Sequence, residues 1–414
     1  MKLNYKRTLL TGLAFMSIMC FWQMYDNIIP LILKDTFHMN EVITGAIMAA
    51  DNVLAVFLLP FFGTWSDKVD TKLGKRIPFV LVGTLLAVAS MIFMPIADNS
   101  VNLVLFLVAT GCVLLSMSVF RSPAVALMPD VTPRPLRSRG NAIVNLMGTL
   151  GAIYALIMIK VAIPKEANPN YMPLFLSIIG FMIVTTAILG LTVKENKWTA
   201  LAREAEKEAD VADEGENEKT GEGIKLDKPK MRSLIFLLFS VALWYMAYNA
   251  VTTAFSRYAT QVWGLEGGGY ADCLMVATVS AVICYLPLGM LAAKIGRKKS
   301  ILIGVIGLIV GFAFGGTFTT YSPLINIAFV LIGISWAAIN VNSFPMTVEI
   351  ASDADVGKYT GYYYTFSMVA QVLTPILSGL FLQYVSYKTL FPYAVVFSIL
   401  AFITMLQVKH GDII

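Results

Sequence analysis

Charged residues are scarce in this sequence. Asp, Glu, Lys and Arg make up only 14% of its 414 residues, whereas 57% are hydrophobic. Soluble domains average about 25% charged and about 45–50% apolar residues. The imbalance excludes an ordinary soluble enzyme, and the mean hydropathy of +0.72 indicates a protein that crosses a membrane several times.

Histidine, cysteine and recognisable catalytic motifs are also scarce. The two histidines, His38 and His410, lie outside the apolar runs, which excludes a histidine proton relay within the membrane. The four cysteines fall inside apolar runs, so no disulfide framework is indicated. The sequence contains neither an HExxH motif nor a nucleotide-binding loop. We therefore expect no enzymatic activity, no metal, no cofactor and no ATP drive.

Twelve apolar runs are long enough to cross a bilayer core of about 30 Å as helices. The first is too long for a cleavable signal peptide. The sequence therefore predicts an all-α membrane protein with twelve transmembrane helices. The runs are 8–33, 42–62, 77–97, 101–126, 140–163, 171–193, 231–262, 270–293, 300–319, 322–346, 359–384 and 388–408.

Basic residues concentrate in alternate loops, and the intervening loops hold only Lys34, Lys165 and Lys388. By the positive-inside rule, this predicts a multi-pass plasma-membrane protein with both termini in the cytoplasm. We expect a monomer whose partners are the lipid bilayer and a small-molecule substrate, and no nucleic acid.

One stretch rich in charges of both signs lies midway along the chain. It predicts a partly disordered cytoplasmic linker, with a regulatory docking segment as the alternative. The predicted organisation is an N-terminal six-helix half at 1–193, a linker at 194–230 and a C-terminal six-helix half at 231–414.

Two loops form an internal repeat. The loop after the second run contains Gly63, Asp67 and Gly74-Lys75-Arg76. The loop after the eighth run matches it once residues 70–73 are omitted, with Ala293 in the place of Asp67 and with Gly289, Gly296 and Arg297 at corresponding positions. Two repeated six-helix halves are typical of transporters that bind substrate near the membrane midplane between the halves.

The repeated loop resembles the signature loop of the major facilitator superfamily. The longer string from Pro60 to Phe79, together with segments 123–130 and 357–363, is similar to the glycoside–pentoside–hexuronide:cation symporters and the sucrose-transporter-like branch. Two positions differ, because Leu59 stands where the symporters have a cation-binding acid and Val125 where plant-type sucrose transporters have an arginine. The resemblance implies the major facilitator fold, cation-coupled sugar transport and a conformational latch formed by Gly63, Asp67, Gly74, Arg76, Gly289, Gly296 and Arg297.

Two carboxylates lie within the first two runs at similar depths. Asp26 and Asp51 are about 10 and 14 Å from the same end of their helices. Charges at such depths are costly and indicate function, and neighbouring carboxylates do not both ionise readily. We predict that the pair couples transport to H⁺ or to Na⁺. The alternatives are structural pairing with a basic residue and a position at a loop boundary.

Three basic residues also lie within the runs. We expect Arg121 to form an intramembrane ion pair with an acid such as Glu349 or Asp130. Lys160 and Arg257 lie near helix ends, from where long side chains can snorkel to water.

Polar and aromatic residues in both halves are suited to a sugar, which presents hydroxyl groups and flat apolar faces. The predicted substrate-binding residues are Trp22, Gln23, Asn27, Asn52, Tyr248, Asn249, Trp336, Asn340 and Gln371, with Tyr245 beside them. The leading hypothesis is a secondary active symporter that moves a sugar or glycoside by alternating access. The alternatives are a proton-coupled transporter or exporter of another solute or drug, and a membrane-embedded enzyme or receptor.

Overall fold

A computed structural model of the chain describes residues 3–133, 136–166, 169–212, 227–350 and 356–411. Within these ranges the chain is helical and contains no strand. The middle of the predicted linker, residues 213–226, lies outside the described residues. The helices are α1 Tyr5–Asp35, α2 Glu41–Lys68, α3 Ile77–Met91, α4 Phe93–Asn99, α5 Leu103–Val131, α6 Arg137–Ala162, α7 Met172–Thr192, α8 Glu195–Ala212, α9 Lys228–Trp263, α10 Ala271–Ile295, α11 Arg297–Gly316, α12 Ile325–Ile350, α13 Val356–Tyr384 and α14 Leu390–Leu406.

The predicted all-α membrane fold is confirmed. Among the described residues, eleven helical stretches are long and apolar enough to cross a membrane, and α10 brings the number to twelve. α10 bends by 53° between Tyr285 and Pro287, since proline removes a backbone hydrogen bond and clashes with the preceding turn. α3 and α4 together form one candidate span, Ile77–Asn99.

The first compact unit comprises Met1–Phe37 and Asp51–Glu218. Its core forms where α1 packs on α6 and α7, and where α3 packs on α5. Small residues permit these close approaches, as is common between membrane helices. A Cβ added at Gly151 of α6 would collide with the Met16 carbonyl of α1.

The second compact unit comprises His38–Ala50 and Lys219–Ile414. α12 packs on α10 and α11, and α9 packs on α13 and α14. A Cβ at Gly333 of α12 would collide with the Ala277 carbonyl of α10. The first ten residues of α2 belong to this unit, so α2 contributes to both cores.

Large apolar side chains are exposed along the spans. Leu191 of α7 is 84% exposed and Val104 of α5 is 73% exposed. Extended exposed apolar surface is unusual for a soluble monomer. It is suited to contact with lipid.

The charged stretch after α7 begins with an ordered helix. α8 packs on α5 of the first unit. Its Trp198 is only 8% exposed, and the Arg7 guanidinium lies 5.6 Å from that ring. Arg137 of α6 forms an ion pair of 3.5 Å with Glu206.

Candidate functional site

Three charged side chains from three helices of the first unit interact electrostatically. Asp26 of α1, Asp51 of α2 and Arg121 of α5 are close enough for each charge to act on the other two. Asn52 donates a hydrogen bond of 2.8 Å to the Asp51 carboxylate. The structure therefore brings Asp26 and Asp51 into one region, with Arg121 as the basic residue beside them.

The Arg121 guanidinium also lies against an aromatic ring. Its central carbon is 5.5 Å from the centroid of the Trp22 ring. A cation over the face of an indole is attracted by the ring quadrupole, which contributes about 0.5–2 kcal/mol. Trp22 therefore helps to hold Arg121 next to the two carboxylates.

A small cavity of about 10 Å³ opens beside this charged cluster. That volume accommodates the centre of about one water molecule. A carboxylate, a guanidinium and a hydroxyl meet at its wall, so the cavity is suited to a polar occupant rather than to a hydrocarbon. Its lining residues are Trp22, Asp51, Ala55, Leu59, Leu114, Met117, Ser118 and Arg121.

Several buried polar atoms of α1 have no hydrogen-bond partner among the described residues. They include the Trp22 Nε1, the Tyr25 hydroxyl and the Asn27 Oδ1. The Asn27 amide nitrogen, in contrast, donates to the Gln23 carbonyl at 2.8 Å. Buried polar groups are normally hydrogen-bonded. The three atoms are therefore candidates for hydrogen bonds to a bound solute or to water.

The second unit contains a stacked aromatic pair. The rings of Tyr248 of α9 and Trp336 of α12 are parallel within 1°, with centroids 3.7 Å apart. Tyr245 meets Trp336 edge-on at 5.2 Å. Next to the stack, the Asn249 amide nitrogen is buried and has no hydrogen-bond partner within the described part of the chain. The arrangement provides flat apolar surface beside a free polar donor.

Two further predicted substrate-binding residues, Asn340 of α12 and Gln371 of α13, form side-chain hydrogen bonds to the backbone of their own helix. Asn340 donates to the Trp336 carbonyl at 3.1 Å, and Gln371 of α13 donates to the Ser367 carbonyl at 3.3 Å. Each side chain retains its own carbonyl oxygen as an acceptor.

The predicted latch loop of the first unit is organised around Arg76. Its guanidinium forms ion pairs with Asp67 at 2.5 Å and with Asp130 at 2.7 Å. It also donates to the Ser66 hydroxyl and to the Gly63 carbonyl. One side chain thereby joins the ends of α2 and α5 at the start of α3.

The second unit contains a related ion pair. Arg297, at the start of α11, forms an ion pair with Glu349 near the end of α12. The preceding glycines correspond too, since Gly74 and Gly296 have φ of 114° and 96°. Gly63 and Gly289 face equivalent helices, α5 at Ser122 and α12 at Val341. The sequence repeat is thus also a repeat of the positive φ at its glycine, whereas the ion pair is shifted by one position, since Arg297 aligns with Lys75 and Lys298 with Arg76.

The acids expected to pair with Arg121 have other partners. Asp130 binds Arg76, and Glu349 binds Arg297. Both acids lie at helix ends, next to the arginine that begins the neighbouring helix. Arg121 instead interacts with the two carboxylates of its own unit.

A further buried ion pair lies in the second unit. Arg257 of α9 donates to Glu41 at 2.9 Å, and both side chains are only 3% exposed. Tyr387 donates to the same carboxylate, and the Gln383 side-chain oxygen accepts from the Glu41 backbone N–H at 3.0 Å. Arg257 is therefore paired in the interior and does not snorkel to water.

A family comparison agrees with this architecture. The profile of the family described as "MFS/sugar transport protein" matches residues 10–389. The chain belongs to this MFS/sugar transport protein family. The family consists of transporters, so this MFS transporter is not an enzyme, and it is a multi-pass membrane protein.

Curated relatives include several sugar transporters. The MFS transporter is 26% identical over 137 residues to a sucrose transport protein of Arabidopsis thaliana, which covers 28% of this chain and 23% of that protein. It is 21% identical over 339 residues to the isoprimeverose transporter of Lactiplantibacillus pentosus, with 78% and 67% covered. It is 32% identical over 118 residues to proton-associated sugar transporter A of Mus musculus, with 26% and 16% covered. The matched regions thus span about a quarter or less of two of these relatives.

Solved structures share the fold. A peptide transporter in complex with alafosfalin superimposes with a TM-score of 0.69 at 12% identity, covering 97% of this chain and 93% of the other. A bacterial homologue of the iron transporter ferroportin gives a TM-score of 0.68 at 15% identity, with 97% and 98% covered. The major facilitator fold predicted from the sequence is confirmed.

Some structural features of this MFS transporter left little trace in the sequence. The cavity wall formed by Leu114, Met117 and Ser118 is an ordinary apolar stretch of α5. The buried pair of Glu41 and Arg257 joins residues 216 positions apart. The sequence could have indicated Glu41 and Arg257 only because each is a charged residue within or beside an apolar run.

Proposed function

We propose that this MFS transporter carries a sugar or glycoside together with H⁺ by alternating access. The observation that carries the proposal is the grouping of Asp26, Asp51 and Arg121 within one unit. Two carboxylates beside one guanidinium leave one negative charge uncompensated. A proton neutralises that charge, so loading and release of a proton change the net charge of the cluster.

The cluster favours H⁺ over Na⁺ as the coupled cation. Na⁺ needs several oxygen ligands in one shell, whereas the Arg121 guanidinium lies beside the same carboxylates and repels a second resident cation. The cavity has a volume of about 10 Å³ and is bounded by Trp22 and Arg121. A proton requires no coordination shell.

A sugar is the substrate class that the remaining residues fit. The stacked pair of Tyr248 and Trp336 supplies an aromatic surface for the C–H face of a sugar ring. The polar atoms of Trp22, Asn27 and Asn249 that lack protein partners supply donors and acceptors for hydroxyl groups. The names of the relatives from plant, bacterium and mouse, all sugar transporters, support the same class.

In the proposed cycle, protonation of one carboxylate of the Asp26–Asp51 pair permits the loaded transporter to change conformation. After one proton binds, Arg121 is paired with the remaining carboxylate and the cluster has no net charge. The ion pairs of Arg76 and Arg297 hold together the helices of their own units. We place both termini in the cytoplasm, because basic residues dominate the loops on that side.

Uptake into proteoliposomes tests the proposal. The purified full-length protein is offered labelled sucrose, maltose and melibiose under an imposed H⁺ gradient, and separately under a Na⁺ gradient. We expect at least one sugar to accumulate under the H⁺ gradient and not under the Na⁺ gradient. Accumulation driven only by Na⁺ would contradict the assignment of the cation. No sugar transport under either gradient would contradict the substrate and favour transport of another solute.

A further inference from the structure

Glu195, the first residue of α8, binds the start of α3 although it follows that segment by about 120 residues. Its carboxylate accepts from three consecutive backbone N–H groups, those of Lys75 at 2.8 Å, Arg76 at 3.0 Å and Ile77 at 3.0 Å. The first N–H groups of a helix have no partner within the helix and need an acceptor. Arg76 occupies the N-cap position and forms no side-chain capping bond. Glu195 supplies that cap from a distant segment.

The loop and α8 are fitted to each other. Glu195 is only 3% exposed, and a Cβ added at Gly74 would collide with its side chain. The adjacent Asn196 donates to the Thr71 carbonyl at 2.9 Å. Two consecutive residues of α8 therefore bind the backbone of the α2–α3 loop, on both sides of Gly74.

The segment that Glu195 holds is the one that carries the Arg76 side chain. The backbone N–H of Arg76 is bound by Glu195, while its guanidinium binds Asp67 and Asp130. A shift of this backbone would move the guanidinium away from one or both acids. The cap and the ion pairs therefore depend on each other.

We propose that Glu195 is a positioning residue for the Arg76 ion-pair loop, and that α8 is a brace of the first unit rather than a passive connection. Removal of the Glu195 side chain releases the first amides of α3. It also loosens the end of α5, because Arg76 no longer stays aligned with Asp130.

Hydrogen–deuterium exchange on the full-length protein in lipid nanodiscs tests this proposal. In Glu195→Ala we expect the amides of residues 75–77 to exchange at least about tenfold faster, together with faster exchange around Asp130. The matched control is Glu204→Ala, which removes the same charge from an exposed position of α8. We expect it to leave both segments unchanged.

Coupling to Arg76 separates positioning from a general loss of structure. Arg76→Ala should also speed exchange around Asp130, and the double variant should add no further effect there.

Unchanged exchange at 75–77 in Glu195→Ala would overturn the cap. Additive effects around Asp130, or equal effects in Glu204→Ala, would overturn the positioning role. Glu195→Gln provides a milder variant if Glu195→Ala does not fold. Exchange requires no substrate, so a failure of the sugar proposal leaves this result interpretable.

Discussion

Arg121 lies with its guanidinium carbon 5.5 Å from the centroid of the Trp22 ring, and the same guanidinium interacts with the carboxylates of Asp26 and Asp51. The aromatic ring thus serves two purposes, since it lines the cavity and holds the cation that balances the acids. A transporter that couples substrate to a proton needs such a cluster, whose net charge changes when one proton binds.

Loss of the Arg121 charge should uncouple transport. In Arg121→Gln the two carboxylates lose their shared cation, and we expect sugar accumulation under an H⁺ gradient to fall by about tenfold or more. Arg121→Lys retains the charge but replaces the planar guanidinium that faces Trp22, so an intermediate loss is expected. Initial rates of uptake in proteoliposomes measure both. Equal activity of Arg121→Gln and the parent would rule out the role of this cation.

The aromatic stack should act on substrate affinity. Trp336→Ala removes one of the two rings proposed to contact the sugar, and we expect the KM for sugar to rise by about three- to tenfold, which corresponds to about 0.7–1.4 kcal/mol of binding free energy. Trp336→Phe keeps a flat face and should recover most of the affinity. Uptake measured as a function of sugar concentration gives the KM of each variant. A KM that is unchanged in Trp336→Ala would mean that the stack only packs α9 against α12.

The buried pair of Glu41 and Arg257 should dominate the stability of its region. Each side chain is 3% exposed, and removal of one partner from a buried ion pair costs about 3–5 kcal/mol. We therefore expect Glu41→Gln to lower the free energy of unfolding in detergent strongly. In the double variant Glu41→Gln with Arg257→Gln, the free energy of unfolding should fall by less than the sum of the decreases in the two single variants. Denaturant titration of all three variants measures this coupling. Strict additivity would show that the pair contributes no interaction energy.

Docking of α8 should depend on pH through Glu195. Burial raises the pKa of the Glu195 carboxyl above its ordinary value, although its three backbone hydrogen bonds lower that pKa. The docked form therefore binds a proton more tightly than an undocked form does. The contribution of Glu195 to the stability of the docked form is therefore fully present at pH values below the ordinary carboxyl pKa. It is lost as the pH rises through the raised pKa.

After correction for intrinsic exchange, the amides of α8 should be better protected at about pH 5 than at about pH 8. Glu195→Gln removes the titrating group and should abolish the difference in amide protection between the two pH values. Protection in the parent that grows with pH would contradict this sign.

The sequence alone was sufficient to predict the membrane-spanning helices, the internal repeat and the family. Length and hydropathy of each apolar run decide whether it crosses a bilayer, and each predicted run falls on an observed helix, the third being divided between α3 and α4. Counting residues at a fixed rise per residue also placed Asp26 and Asp51 close enough to interact, and each carboxylate does act on the surroundings of the other. These are local properties.

Long-range partners could not be obtained in this way. Arg121 was expected to pair with Glu349 or Asp130, because the sequence shows which charges exist but not which helices meet. Glu195 lies in a stretch whose composition is that of a linker, and its partners are the backbone amides of a loop about 120 residues earlier. Backbone acceptors and donors carry no sequence signature.

Gradient-driven uptake by Asp26→Asn and Asp51→Asn tests proton coupling through the cluster of Asp26, Asp51 and Arg121. Proteoliposomes containing the parent or either variant are compared for accumulation under an H⁺ gradient and for counterflow of the same sugar at equal pH on both sides. Asp70→Asn, the same substitution at an exposed loop residue of the first unit, is the matched control and should keep both activities. We expect accumulation to be lost in at least one of the two Asp variants while counterflow is retained. Full accumulation in both Asp variants would contradict proton coupling through this cluster.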